Sequence, residues 1–195
     1  LPAVFSEHML IQRDRPFRIW GWADAGEKVE VYFQLLRAEA QADSNGRWAA
    51  SFPKGFKLAG GPFLMLIQGK NRIVFHDVLV GDVWLALGQA NLAMPVKAAH
   101  HGAAELSNAW FPRLRFFQVQ RQAASAPAED VRGRWVDVHA TIGGELSALA
   151  FFFARELWRR TLMPQGILEV AWGAAPTEAW VSPLAIRTNA RFDRL

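Results

Sequence analysis

Apolar and polar positions change rhythm partway along this chain. Through the first ~80 residues the apolar runs are short and separated by turn signals, as in an all-β sandwich. Arg18 to Trp22 and Lys28 to Leu35 are strand-like and are divided by Ala23-Asp24-Ala25-Gly26. Asp43-Ser44-Asn45-Gly46 predicts a tight hairpin turn, since Asn-Gly readily adopts positive φ, and Trp48 to Phe52 is expected to pair back. After the break at Gly60-Gly61-Pro62, Phe63 to Gln68 and Arg72 to Val80 predict two further strands.

Near Gly81 the pattern shifts. Val83 to Leu87 is a short apolar run leading directly into Gly88-Gln89-Ala90-Asn91, and Leu114 to Val119 is a second such run. Leu146 to Arg160 carries Leu146, Leu149, Ala150, Phe153 and Leu157 at helical spacing, with Arg155, Glu156 and Arg159 elsewhere on the wheel. Pro164 and Gly166 end that helix, and Ile167 to Trp172 follows as a buried strand. Apolar strands alternating with a helix predict a parallel α/β sheet, here with about three strands against the ~5–6 of an average sheet. The expected fold class is therefore mixed α+β: a β-sandwich (Ig-like or jelly-roll-like) over residues 1–78, then an incomplete α/β parallel-sheet domain over 79–195.

Composition narrows the function classes. With 51% hydrophobic and 21% charged residues, the chain is expected to fold around a core. The net charge of +4 comes from scattered arginines, the densest group being Arg155, Arg159 and Arg160, so no nucleic-acid partner is expected. No run of ~18 apolar residues occurs, and no membrane span is expected. Cysteine is absent, which excludes disulfides and thiolate metal sites. The chain opens at Leu1 with no methionine and no basic-then-apolar leader, as a processed product or a fragment would. Nine tryptophans and fourteen phenylalanines beside one tyrosine leave a carbohydrate partner open, because tryptophan is the usual platform for a sugar face.

Candidate chemistry follows from the α/β rhythm. Ligands in such sheets bind beyond the carboxyl ends of the strands. Two loops leave strands there: Gly88-Gln89-Ala90-Asn91, and Gly173-Ala174-Ala175-Pro176-Thr177-Glu178. Both can present backbone amides to an anion. Each residue also has a plainer reading. Ala90 suits a sharp turn, Asn91 an N-cap, Gly173 a backbone requirement, and Glu178 the start of a helix. His100-His101 reads as a solvated loop pair without further metal ligands, and His8, His76 and His139 stand alone. Ser147 reads as part of the first helical turn, and Phe151-Phe152-Phe153 as core. Neither a metal nor a cofactor is expected.

Asp77 to Leu85 followed by Gly-Gln-x-Asn is similar to the nucleophile region of the sialate O-acetylesterases, SGNH hydrolases whose loop usually reads G-Q-S-N-M. Trp172-Gly173 with Glu178-Ala179-Trp180 resembles that family's W-G-G-T-x-x-E-A-W segment. His8 to Arg13 and Trp20-Gly21-Trp22 resemble its leading β-domain, while Glu129 to Trp135 and Phe152 to Leu157 fit the spacer between the loops. The ordered set runs from Leu1 to about Ser182.

The resemblance implies an SGNH-type (flavodoxin-like) second domain, a secreted or periplasmic setting, and esterase chemistry on O-acetylated sialic acid or other glycans. In that scheme a serine attacks the acetyl carbonyl, a histidine oriented by an aspartate takes its proton, and backbone amides with an asparagine hold the oxyanion. The chain departs from the pattern at the serine position, which is Ala90, more mildly at Leu92, and at Ala174, whose Cβ would crowd an oxyanion pocket and restrict the loop. The family's later G-E-S-N-like segment and D-x-x-H have no match before Leu195. The resemblance therefore leaves Gly88, Gln89, Asn91, Gly173 and Glu178 as oxyanion or substrate contacts, and implies an inactive chain. Two other readings stand beside it. One is a non-catalytic binder of acylated carbohydrate. The other is a structural module whose sheet is completed by a second chain or by a missing C-terminal part.

Overall fold

The computed structural model describes residues 1–107, 109–124 and 126–188. Ten strands dominate, in chain order β1 (Leu10–Gln12), β2 (Phe17–Trp22), β3 (Lys28–Phe33), β4 (Leu36–Gln41), β5 (Arg47–Phe52), β6 (Gly60–Gln68), β7 (Arg72–Gly88), β8 (Trp110–Val119), β9 (Gly133–His139) and β10 (Gln165–Ala171). Short helices α1 (Ala90–Ala93), α2 (Gly102–Leu106) and α3 (Ala140–Gly143) precede the long α4 (Ala148–Thr161), and α5 (Pro183–Thr188) comes last. The fold is a mixed α/β arrangement.

Strands of both rhythms join one mixed sheet of order β4-β3-β6-β7-β10-β8-β9, with β1 also paired to β7. The link is β7, which runs uninterrupted through the expected change at Gly81 and past position 78. Its first half lies between antiparallel β6 and parallel β1, and its second half pairs in parallel with β10 from Asp82↔Gln165 to Gly88↔Ala171. Gly81 does not break the strand. It is required because a Cβ there would lie 2.2 Å from the Pro164 carbonyl oxygen.

A separate two-stranded sheet, β2-β5, faces the first half of the large sheet. Ile19, Ala50 and Phe52 point inward to meet Val31, Phe33, Met65 and Val78, and Phe56 is buried among the phenylalanines. A second core lies under α4, where Ala150, Phe151 and Ala154 cover Leu114, Phe116, Val138 and Ile167.

Four local expectations are corrected. Lys28 to Leu35 is not one strand: Gln34 and Leu35 both take positive φ (49° and 64°) and form a two-residue hairpin turn into β4 without glycine or asparagine. The Asp43–Gly46 turn forms, with the Gly46 amide bonded to the Asp43 carbonyl at 2.9 Å, but β5 crosses over to pair with β2. The spacer around Trp135 contains strand β9, antiparallel to β8. Finally, α4 is rotated from the expected face. Leu149 is 56% exposed and Phe153 42% exposed, while Ala148, Phe151 and Ala154 are buried. Small alanines let the helix approach the sheet closely, and Phe153 packs edge-on to Trp84 at 5.1 Å instead. Of the phenylalanine triplet, only Phe151 is fully buried.

Candidate active site at the ends of strands β7 and β10

The three parallel strands β7, β10 and β8 end side by side at Gly88, Ala171 and Val119. The chain turns out of β7 through Gln89, whose φ of −107° and ψ of −138° fit neither helix nor ordinary strand, and enters α1 at Ala90. Gln89, Ala90 and Asn91 are exposed, whereas Leu92 is buried in the core under α4. Burial of Leu92 fixes the turn: a Cβ on Gly88 would come within 3.3 Å of it, so glycine allows the tight return.

The N-cap position of α1 is Gln89, not Asn91. Asn91 sits one residue inside the helix, and its side chain makes no hydrogen bond among the described residues. The capping role expected for it is thus replaced by a free amide at the surface beside Ala90. Ala90 itself presents only a methyl group.

The second loop lies directly beside the first. Ala171 pairs with Gly88, and the Trp172 amide donates to the Gly88 carbonyl at 3.0 Å. Gly173 follows at once. It has no positive φ, and a Cβ there would meet nothing within 4 Å, so no backbone requirement explains the glycine. Ala174, by contrast, has φ of 61°, in the left-handed region that favours glycine. Glu178 lies in a short 3₁₀ turn, Thr177–Trp180, and its side chain falls outside the described residues.

Two polar residues near the strand ends were not singled out from the sequence. Arg121, just past β8, donates to the Ala171 carbonyl at 3.0 Å. Glu169 on β10 accepts from the Ser147 amide at 3.2 Å. Burial pushes the Glu169 carboxyl above the ordinary carboxylate range, opposed by the Ser147 hydrogen bond and by the charge of Arg121. Its partner Ser147 lies 22 residues away in the chain, so local sequence gives no signal of the contact. Ser147 caps α4, its Oγ accepting from the Ala150 amide at 3.2 Å, and is no nucleophile candidate.

The histidines are not gathered here. His8 lies far from the strand ends, its Nδ1 2.7 Å from Asp77 Oδ2 and 3.1 Å from Arg115. The His100 and His101 rings lie 3.8 Å apart between centroids. No group of metal-ligating side chains occurs among the described residues, and no helix among them is long and apolar enough to cross a membrane.

An exposed turn at the end of one parallel strand, bonded to the loop leaving its neighbour, is an arrangement that can hold an oxyanion. The fold is similar to that of part of a carbohydrate acetylesterase. A crystal structure of such an enzyme from Xanthomonas citri superposes with a TM-score of 0.92 at 34% identity, over 97% of this chain and 44% of that one.

The chain is a homologue of the sialate O-acetylesterases. It is 34% identical over 192 aligned positions to the Homo sapiens protein of that name, covering 87% of this chain, and 31% identical over 218 to that of Rattus norvegicus, covering 99%. It spans 36% and 40% of those two relatives' lengths. No protein-family model matches the chain.

Proposed function

We propose that this chain supplies the nucleophile-loop portion of a carbohydrate esterase acting on O-acetyl groups of sialic acid or other glycans, and that it is inactive as written. The observation that carries this reading is the bond between Trp172 and Gly88, which holds the two glycine loops together at the ends of β7 and β10. In this reading residues 1–78 form a β-sandwich, supported by the packing of β2-β5 against the large sheet, and 79–195 the leading part of an SGNH-type domain.

The chemistry assigns each residue a role. A hydroxyl on Cβ at position 90 would stand exposed at the turn, in reach of an acyl carbonyl. Backbone amides of the Gly88–Asn91 turn, the Asn91 amide and the open face at Gly173 would receive the developing oxyanion. With a methyl at position 90 no acyl-enzyme can form, and only binding remains.

Hydrolysis of p-nitrophenyl acetate by the chain and by Ala90→Ser is the test. Silence from the native chain with turnover from the variant supports the assignment. Turnover by the native chain at the variant's rate rejects it.

A second reading concerns the partner. Residues 82–88 of β7 have β10 on one side and no strand on the other among the described residues. Trp84, on one face of this segment, and Leu85 and Leu87, on the other, are exposed. An open apolar edge favours pairing with a further strand, from the rest of a longer chain or from a second chain.

A further inference from the structure

The β2-β5 sheet turns an unusual surface outward. Along β2, Arg18, Trp20 and Trp22 alternate with the buried Ile19 and Gly21, so all three project from one face. Trp20 is 41% and Trp22 43% exposed. Across the ladder Trp20 stands opposite Ala49 and Trp22 opposite Arg47. The small alanine leaves room, and the result is an open cleft of about 610 Å³ lined by these residues with Asp43, Trp48 and Glu129.

Packing and polarity both show a formed surface. Phe5 abuts Trp20 edge-on at 4.6 Å. Arg47 is paired with Glu129 from the segment that follows β8. Asp43 spends Oδ1 on the amides of Asn45 and Arg47, leaving Oδ2 unused among the described residues. Arg18 makes no ion pair there. Two arginines and two carboxylates give the cleft no net charge, which disfavours a polyanion such as nucleic acid. Two half-exposed indoles beside unspent donors and acceptors suit a ligand with an apolar face and a hydroxylated edge.

We infer that this cleft is a second carbohydrate site, separate from the Gly88–Asn91 turn, that binds a neutral pyranose chain. The C–H face of a sugar ring stacks on Trp20 or Trp22, and its hydroxyls bond Arg18, Asp43 and the Arg47–Glu129 pair. The tryptophans lie two positions apart, about 7 Å along the strand, so consecutive rings of one oligosaccharide can use both. This site stands independently of the esterase reading, because ester hydrolysis reports position 90 and glycan binding reports β2.

Calorimetric titration of the chain with xylohexaose, cellohexaose and mannohexaose tests it, beside Trp20→Ala, Trp22→Ala, Trp22→Phe and, as a control, a change at Trp110, an exposed tryptophan on β8 (Trp110→Ala). Melting curves accompany each variant, and Trp22→Phe keeps an aromatic face where the alanine variants lose it. The expected result is binding of at least one neutral probe, weakened about tenfold by either alanine change. Trp22→Phe should bind more tightly than Trp22→Ala, and Trp110→Ala should bind as the native chain does. No binding of any neutral probe overturns the inference, as does equal affinity in the native chain and folded alanine variants. Tryptophan-dependent binding of 3′-sialyllactose alone would overturn the neutral class.

Discussion

The Trp172 amide donates to the Gly88 carbonyl at 3.0 Å, closing the parallel ladder between β7 and β10 at the point where both strands turn into loops. Residues 84 positions apart thereby become neighbours, and the two glycine segments are brought side by side.

The adjoining pair Gly173 and Ala174 separates space from conformation. Ala174 holds φ of 61°, so Ala174→Gly should relieve left-handed strain and stabilise the chain by about 0.5–1 kcal/mol. Gly173→Ala meets open space and should change stability by less than about 0.5 kcal/mol. Urea midpoints of the two variants check both; a destabilised Ala174→Gly would show that the loop is not held in this conformation.

Close packing at Gly81 is a second target. A Cβ would press on the backbone of Pro164, which cannot swing aside as a flexible side chain does. Gly81→Ala should therefore cost about 1–3 kcal/mol, read as a lowered denaturant midpoint at unchanged slope.

Arg115 is 4% exposed and depends on Asp77, whose carboxylate accepts from it at 3.0 Å, while His8 Nδ1 lies 3.1 Å away. Asp77→Asn removes the compensating charge and should destabilise by about 3 kcal/mol. Thermal melting measures this, and a native melting curve in the variant would exclude a structural role for the pair.

Glu169 links stability to pH. Its folded-state carboxyl titrates above the unfolded value because burial disfavours the charge. The contribution it makes is full below the unfolded-state pKa and is lost as pH rises through the folded one. Glu169→Gln keeps an acceptor for the Ser147 amide without the charge. Its melting temperature should exceed that of the native chain at pH 7, and the difference should shrink toward pH 4, near ordinary carboxylate values. A difference independent of pH would contradict this.

Much of the strand content was legible because it depends on local signals. Alternation marks β2 and β5, continuous apolar runs mark the parallel strands, and Asn45-Gly46 marks a turn. The ordered short motifs around Gly88 and Trp172 pointed to the family for the same reason, since each is contiguous in sequence. The Gln34-Leu35 turn was hidden, because neither residue favours positive φ and only the pairing of β3 with β4 imposes it. Strand β9 was hidden in the same way until β8 gave it a partner.

By itself, then, the sequence determined the alternation of faces, the loop chemistry and the absence of a hydroxyl at position 90. Tertiary structure alone decided that β7 serves both halves of one sheet, that α4 buries alanines rather than Leu149 and Phe153, and that Glu169 is a shielded carboxylate. It also decided that Trp20 and Trp22 face outward opposite Ala49 and Arg47. The reason is physical: local periodicity records which residues prefer water. Which apolar face is covered depends on what other segment of chain reaches it, and that is set by long-range packing.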